Sequence, residues 1–318
     1  MSMSAEYRFT EELPFLDFRI RWHANESLPI DVLKEQFLYS KVSARAAVRD
    51  HFDFYIDMVA DAGSDASWNT ALQHRFDPTT QCLHLSYLDN AIQVQVDYRA
   101  KTVRASIMER ALAYRAALGN WVLTIPLSEL LKLHGIYLMH AACLVKDGTG
   151  ILFAGRSGVG KTTLALGLLS LGWQLVSDDE IFLRPHPKLL AYGGPERAKV
   201  SWPTWRRFSY YLGEQTRFNG KQIIQLEDYF PGQLINRHSI EAICFTGQSE
   251  RLSINSLSPM DAYRRLLSVA FLTSEPELTR RNNEFLYCFS RDIPAYALLT
   301  SLDFKALDGL LSQTFLQQ

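Results

Sequence analysis

The chain of 318 residues carries only four cysteines, and no two of them form a C-x-x-C pair. Cys82, Cys143, Cys244 and Cys288 lie far apart, which excludes a zinc ribbon, a dithiol redox pair and a disulfide framework. Three of them stand in apolar, strand-like stretches and read as small buried hydrophobes. No apolar run approaches the ~18 residues that cross a bilayer. Met1 to Glu12 is polar and lacks the hydrophobic region of a secretory signal, so the expectation is a cytoplasmic protein without a membrane partner. Neither sign of charge is in excess: 33 basic residues face 34 acidic ones, against a chain built to hold nucleic acid or anionic lipid. His23, His51, His74 and His84 are scattered without metal-ligand spacing, and repeats and low-complexity tracts are absent. Apolar residues are plentiful, at 47% with 12% aromatic, and the length allows two domains with sizeable cores.

Against that background one stretch stands out. Gly155-Arg156-Ser157-Gly158-Val159-Gly160-Lys161-Thr162 fits the phosphate-loop pattern G-x-x-x-x-G-K-[ST] without a gap. Glycines let successive backbone N–H groups curl round a polyphosphate, lysine sets a point charge on its β- and γ-phosphates, and the hydroxyl holds Mg²⁺. The apolar run Ile151 to Ala154 leads in as a buried strand, and Thr163 to Leu171 leads out as a helix stopped by Gly172. The expected ligand is a nucleoside triphosphate with Mg²⁺, held by Gly155, Ser157, Gly158, Val159, Gly160, Lys161, Thr162 and Thr163. No N-K-x-D-type motif follows, so a guanine-reading GTPase is disfavoured and ATP is expected.

Upstream, Leu16, Phe18, Ile20 and Trp22 alternate with polar residues as a half-buried strand does. Helices are expected around Pro29 to Phe37 and Ala44 to Ala60, with Phe52 to Ile56 as a competing strand, and a polar loop over residues 61–70. Leu83 to Tyr87, Ile92 to Tyr98 and Val103 to Ile107 read as an antiparallel meander. Helical patterns cover Glu109 to Leu118 and Ser128 to His134, the second with Ser128 at an N-cap position.

Ile136 to Val145 and Ile151 to Ala154 then form a hairpin across Asp147-Gly148-Thr149-Gly150. With Lys146 set against Ile151, His140 falls opposite Ser157, at the rim of the phosphate loop. After the loop's helix, Trp173 to Ser177 returns as a strand ending in Asp178-Asp179. A helix of about eleven residues advances ~16 Å and five strand residues return ~16 Å, so a right-handed crossover brings both carboxylates to the edge holding Lys161 and Thr162. Two adjacent carboxylates there repel unless a metal or a proton intervenes. Farther on, Arg197, Lys199 and Lys221 are the nearest candidates for a second cation at the transferring phosphoryl group.

Together, His140-Ala141-Ala142, the phosphate loop, Ala165-Leu166 and Gly172-Trp173-Gln174-Leu175-Val176-Ser177-Asp178-Asp179-Glu180 resemble the core of HPr kinase/phosphorylase and of the wider group of HPr-kinase-related proteins. About forty-five residues carry the resemblance strongly and residues 120–318 weakly. It implies an α/β fold: a P-loop kinase core of the HPr kinase and phosphoenolpyruvate carboxykinase type, preceded by an α+β domain. Residues 1–108 would be a docking or substrate-recognition module and residues 109–318 the catalytic domain. By the same resemblance Lys161 clamps phosphates, Thr162 and one aspartate (Asp179) hold Mg²⁺, the other (Asp178) is the general base, and His140 relays or neutralises charge. The chain departs from HPr kinase in Arg156, where an acidic residue is usual, and in Tyr192 to Arg197, which does not reproduce the family's Gly-rich signature.

The expected activity is ATP- and Mg²⁺-dependent transfer to a hydroxyl, with serine of a peptide or small protein, such as a natural-product precursor, as acceptor and partner. A homo-oligomer is allowed and nucleic acid is not expected. Competing readings are a small-molecule kinase for free serine, a sugar or a nucleotide, and a nucleotide-binding regulatory ATPase that transfers nothing.

Overall fold

The computed structural model describes residues 7–36, 49–60, 71–156, 158–185, 188–193, 197–213, 220–270 and 275–316. Contacts divide the chain into two compact units, Met1–Gly135 with Thr273–Arg280, and Ile136–Leu272 with Arg281–Gln318. Residues 109–135 thus fall with the N-terminal unit, whereas the sequence reading begins its second domain at 109. Both units mix helices with multi-stranded sheets. Among the described residues, no helix is long and apolar enough to cross a membrane.

The first unit is built on a seven-stranded sheet. Its strands are β1 (Phe9–Phe15), β2 (Phe18–Ala24), β3 (Asp50–Val59), β4 (Gln73–Asp77), β5 (Cys82–Tyr87), β6 (Ile92–Asp97) and β7 (Thr102–Met108), in the spatial order β1-β2-β3-β7-β6-β5-β4. The helix considered over Ala44 to Ala60 is β3 from Asp50 onward; its start, like the loop at 61–70, lies outside the described residues. Strict alternation decides the matter, since Phe52, Phe54 and Ile56 are fully buried between Ile20 and Trp22 on one side and Val103 and Ala105 on the other. A helix would have spread those three side chains around its axis.

The apolar face of this unit is shared with α1 (Leu28–Gln36), a 3₁₀ turn at Glu109–Ala113, α2 (Arg115–Leu118), a π turn at Gly119–Thr124 and α3 (Ile125–Lys132). Ser128 is no N-cap. It lies inside α3, fully buried, with its hydroxyl donating to the Ile125 carbonyl at 2.7 Å. The chain is already helical before it, and Pro126 occupies the first turn, where a missing N–H costs nothing. Lys132, with a fully buried side chain, donates to Glu129 at 2.7 Å, and Tyr98 donates to the same carboxylate at 2.9 Å.

The second unit carries a nine-stranded sheet in the order β15-β12-β11-β8-β9-β16-β18-β17, with β10 also on β8. The elements are β8 (Tyr137–Lys146), β9 (Thr149–Ala154), α4 (Lys161–Leu169), β10 (Gln174–Ser177), β11 (Glu180–Arg184), β12 (Leu190–Tyr192), β13 (Arg197–Ser201), α5 (Trp202–Arg207), α6 (Ser209–Leu212), β14 (Lys221–Gln225), β15 (Arg237–Ser239), β16 (Ala242–Gln248), β17 (Ser253–Ser256), α7 (Pro259–Leu266), α8 (Pro276–Asp292, which belongs to this unit from Arg281 onward), β18 (Ala295–Thr300) and α9 (Phe304–Phe315). β9, β16 and β18 run parallel. Hydrophobic cores lie on both faces, so Ala141 to Val145 of β8 and Ile151 to Ala154 of β9 are apolar and buried.

The β8–β9 hairpin is tighter than the sequence reading assumes. Lys146 pairs with Thr149, leaving a two-residue turn of Asp147 (φ 49°) and Gly148 (φ 79°). Both central residues are left-handed, as a turn matched to strand twist requires. The register therefore moves by two. Ala141 faces Ala154, and His140 comes one step later, level with Gly155 and not with Ser157, which lies outside the described residues.

Helices α4 and α9 meet at Gly167, where any added Cβ would overlap the Phe304 ring. Helix propensity alone favours alanine there by about 1 kcal/mol, but overpacking costs about 1–3 kcal/mol and should win. Gly167→Ala is expected to lower the urea midpoint, and Phe304→Leu in the same chain to recover part of the loss. A Gly167→Ala protein more stable than the parent would show that this contact does not exist.

Candidate active site

β9 delivers the chain at Ala154 into the loop, and α4 begins at Lys161. Gly158 (φ 86°) and Gly160 (φ 96°) take left-handed conformations that other residues resist. No side chain caps α4, so its first amides and its positive dipole end face the loop. Gly155 is needed for a different reason, because a Cβ there would meet Thr246 Oγ1 at 2.8 Å and Val159 Cγ2 at 2.9 Å.

Lys161 is 5% exposed. Its ammonium donates to the Gly155 carbonyl at 2.7 Å and to His140 Nε2 at 2.9 Å, with the Arg156 carbonyl at 3.3 Å. An ammonium can only donate, so Nε2 is the acceptor and the ring proton sits on Nδ1, 3.2 Å from Asp179 Oδ1. His140 is thus neutral in this arrangement. Burial lowers its pKa, with Asp179 opposing and Lys161 reinforcing the shift. Burial likewise lowers the pKa of Lys161.

The second pair is Thr162 Oγ1 donating to Asp178 Oδ2 at 3.2 Å. Asp178 is 8% exposed, and burial, reinforced by the neighbouring Asp179 charge, pushes its pKa up to about 7. Main-chain geometry explains the placement. β10 and β11 follow one edge of β8 antiparallel, from Gln174 opposite Val145 to Leu183 opposite Tyr137, and Asp178-Asp179 is the break between them. The crossover from β9 through α4 therefore reaches β10 with β8 lying between the two strands, not as direct neighbours. Gly193 backs the break, since a Cβ there would collide with the Val176 carbonyl.

His140, Lys161, Thr162, Asp178 and Asp179 lie together, beside Gly155, Gly158, Val159 and Gly160. Thr163 instead turns toward α5, its hydroxyl 2.8 Å from that of Thr204. Lys199 on β13 acts electrostatically on Asp178, and Lys221 on β14 acts on both His140 and Lys161. Arg197 opens β13 opposite Gln225. The donor set of one hydroxyl and two carboxylates suits Mg²⁺, which takes hard oxygen ligands and fills most positions with phosphate and water. Among the described residues there is no group of three or more His, Cys, Asp or Glu fit to cage a metal without such help.

A cleft of about 490 Å³ adjoins the loop and was not foreseen. Thr163, Leu164 and Gly160 line one side, and Gln248, Leu302 and Phe304 the other. Gln248 Nε2 reaches the Val159 carbonyl at 3.4 Å. The far wall follows the carboxyl ends of β16 and β18, where open parallel sheets place ligands. Nothing local in the sequence marks those residues, because strand order brings them to the loop.

The raised pKa of Asp178 has a measurable sign. An unfolded aspartate titrates near 3.9, so between that value and about 7 the folded chain holds a proton that the unfolded chain has lost. Stability contributed by this group is therefore greatest at low pH and falls as pH rises through that window. In metal-free buffer, Asp178→Asn should gain on the parent between pH 4 and pH 8 by on the order of 1–3 kcal/mol in urea unfolding. Parallel pH profiles for the two proteins would contradict a buried, proton-holding Asp178.

The ScmC family, described as SynChlorMet cassette protein ScmC, matches residues 116–306, well over half of the chain. HPr kinase/phosphorylase of Chlorobium limicola is 28% identical over 97 residues, which make up 30% of this chain and 29% of that protein. The Hpr(Ser) kinase/phosphatase structure from Coxiella burnetii aligns with 57% of this chain and 97% of its own at 17% identity, with a TM-score of 0.36. The stretch matched in the Chlorobium protein is under a third of its length. The chain belongs to the ScmC family and is related to HPr kinase/phosphorylase.

Proposed function

We propose that the second unit is an ATP- and Mg²⁺-dependent phosphotransferase with a P-loop kinase core, moving the γ-phosphoryl group onto a hydroxyl, with serine of a peptide or small protein as acceptor. The observation that carries this reading is the hydrogen-bonded chain Lys161–His140–Asp179 beside the Thr162–Asp178 pair, all at the mouth of one phosphate loop. The distant kinase relationship supports the reaction class.

The loop amides and Lys161 bind the β- and γ-phosphates, and the cleft between Thr163 and Phe304 takes the nucleoside. Lys161 has donors directed at its own loop carbonyls and at His140, and γ-phosphate oxygens compete for those same donors. Thr162 with one aspartate would hold Mg²⁺, which when bound neutralises phosphate charge. Asp178, with a pKa of about 7, is poised to accept the acceptor's proton near neutral pH. The new O–P bond forms as the β,γ-bridging P–O bond breaks, and ADP leaves with the electron pair. His140 keeps Lys161 aligned and couples it to Asp179.

A second division of roles has its own support. Thr162 already donates to Asp178, so Asp178 could serve as the metal carboxylate while Asp179, with His140, takes the proton. Two variants separate the divisions. If Asp178 is the base, Asp178→Asn keeps Mg²⁺-dependent ATP binding and loses transfer by about 10²–10⁴-fold, whereas Asp179→Asn weakens the Mg²⁺-dependent part of binding. The reverse pattern assigns the roles the other way.

The activity itself is tested with γ-labelled ATP and a mixed-sequence serine peptide library. Label should move to peptide serine, and Lys161→Ala should abolish it. Label found only on free serine, a sugar or a nucleotide would make the protein a small-molecule kinase. Slow hydrolysis indifferent to any acceptor would make it a regulatory ATPase.

A further inference from the structure

The seven-stranded sheet of the first unit has one face against its helices, while the other is polar and carries a groove of about 520 Å³. Strand register arranges that polar face in rows. One row crosses all seven strands: Thr10, His23, Tyr55, Arg104, Gln95, His84 and Arg75 stand opposite one another in turn. The next row on the groove side holds Gln73, Ser86, Gln93, Ser106 and Asp57. The row on the other side is acidic, but Asp53 is taken up by Arg21 (2.7 Å) and His23 (2.9 Å), while Asp77 and Asp97 accept from the amides of their own turns.

Two features of the groove are unfinished. Among the described residues, Arg75 and Arg104 make no hydrogen bond or ion pair; Arg104 only lies over the Tyr55 ring at 4.6 Å. Asp57 receives the Tyr7 hydroxyl on Oδ2 at 3.3 Å, but its Oδ1 is buried without a partner. Two guanidinium groups without a hydrogen-bonded carboxylate in one polar groove call for a ligand with negative charge.

We propose that this face binds an extended peptide segment bearing two carboxylates four residues apart. Arg75 on β4 and Arg104 on β7 are three strand spacings apart, about 14 Å at the Cα atoms. An extended chain covers about 14 Å in four residues, and positions i, i+2 and i+4 point the same way. A peptide laid across the strands therefore sets carboxylates i and i+4 on the two arginines, with residue i+2 between His84 and Gln95. Its backbone runs along the Gln and Ser row, whose amides and hydroxyls both donate and accept. An inorganic phosphate or a diphosphate is too short to span the two arginines. The acidic row beyond repels a displaced peptide and keeps it in the groove. This binding does not depend on the phosphotransfer proposed above and is measured without ATP.

The test is fluorescence anisotropy with the full chain and labelled twelve-residue peptides rich in serine and alanine. One carries glutamates four apart, one has them adjacent, and one has glutamine in both places. The spaced acidic peptide should bind about tenfold tighter than the glutamine peptide and severalfold tighter than the adjacent one, weakening with salt. Arg75→Gln, an exposed change on an edge strand, should cost about fivefold, and Arg104→Gln a similar factor, with thermal melts confirming that both proteins fold. Equal binding of the three peptides, or unchanged affinity in Arg75→Gln, would overturn the proposal. Displacement by millimolar inorganic phosphate as effective as by unlabelled peptide would make this a small-anion site and overturn it equally.

Discussion

The side chain of Lys161 is almost wholly buried, and the charge at its end constrains the groups it touches around the phosphate loop. A cation in that position must be matched or must lose its proton, and the chain matches it with two loop carbonyls, the imidazole of His140 and, through that ring, the carboxylate of Asp179. Each partner arrives on a different element. The carbonyls belong to the loop, His140 is on β8 just past its last pair with β9, and Asp179 lies in the break between β10 and β11. Because β8 is paired on both edges, the three cannot drift independently.

That break carries the second constraint. Two adjacent carboxylates inside a regular strand would point to opposite faces and be drawn into the sheet's packing. Here the interruption lets Asp178 turn toward Thr162 while Asp179 stays with His140. Burial, reinforced by the neighbouring Asp179 charge, then raises the pKa of Asp178, the more enclosed of the two. On the reading proposed above, that difference would let the pair divide the work of holding a cation and accepting a proton.

The first unit uses its sheet differently. Alternation puts Phe52, Phe54 and Ile56 on the helix-covered face and Asp53, Tyr55 and Asp57 on the other, so one strand supplies both core and groove. Since β2, β3 and β7 run parallel while β7, β6, β5 and β4 form the meander, the polar residues line up in rows only after strands distant in sequence have paired.

The phosphate loop, its flanking strand and helix, the hairpin before it and the Asp178-Asp179 pair after it were all legible in the sequence. Each rests on local chemistry: glycines that tolerate left-handed backbone, a lysine and threonine at a helix start, and apolar runs separated by turn residues. What was misread was also local but finely balanced. Asp147 could take a left-handed conformation and so shorten the turn by two residues, moving His140 from the level of Ser157 to that of Gly155. Ser128 resembled a cap, yet the preceding segment was already helical, and β3 competed with a helix until its partners on both sides selected the strand. The cleft lined by Gln248 and Phe304, the insertion of β8 between β9 and β10, and the row joining Arg75 to Arg104 had no sequence signature. They depend on which strands become neighbours, and that is decided by burying all the apolar faces at once, a property of the whole chain and of no single stretch.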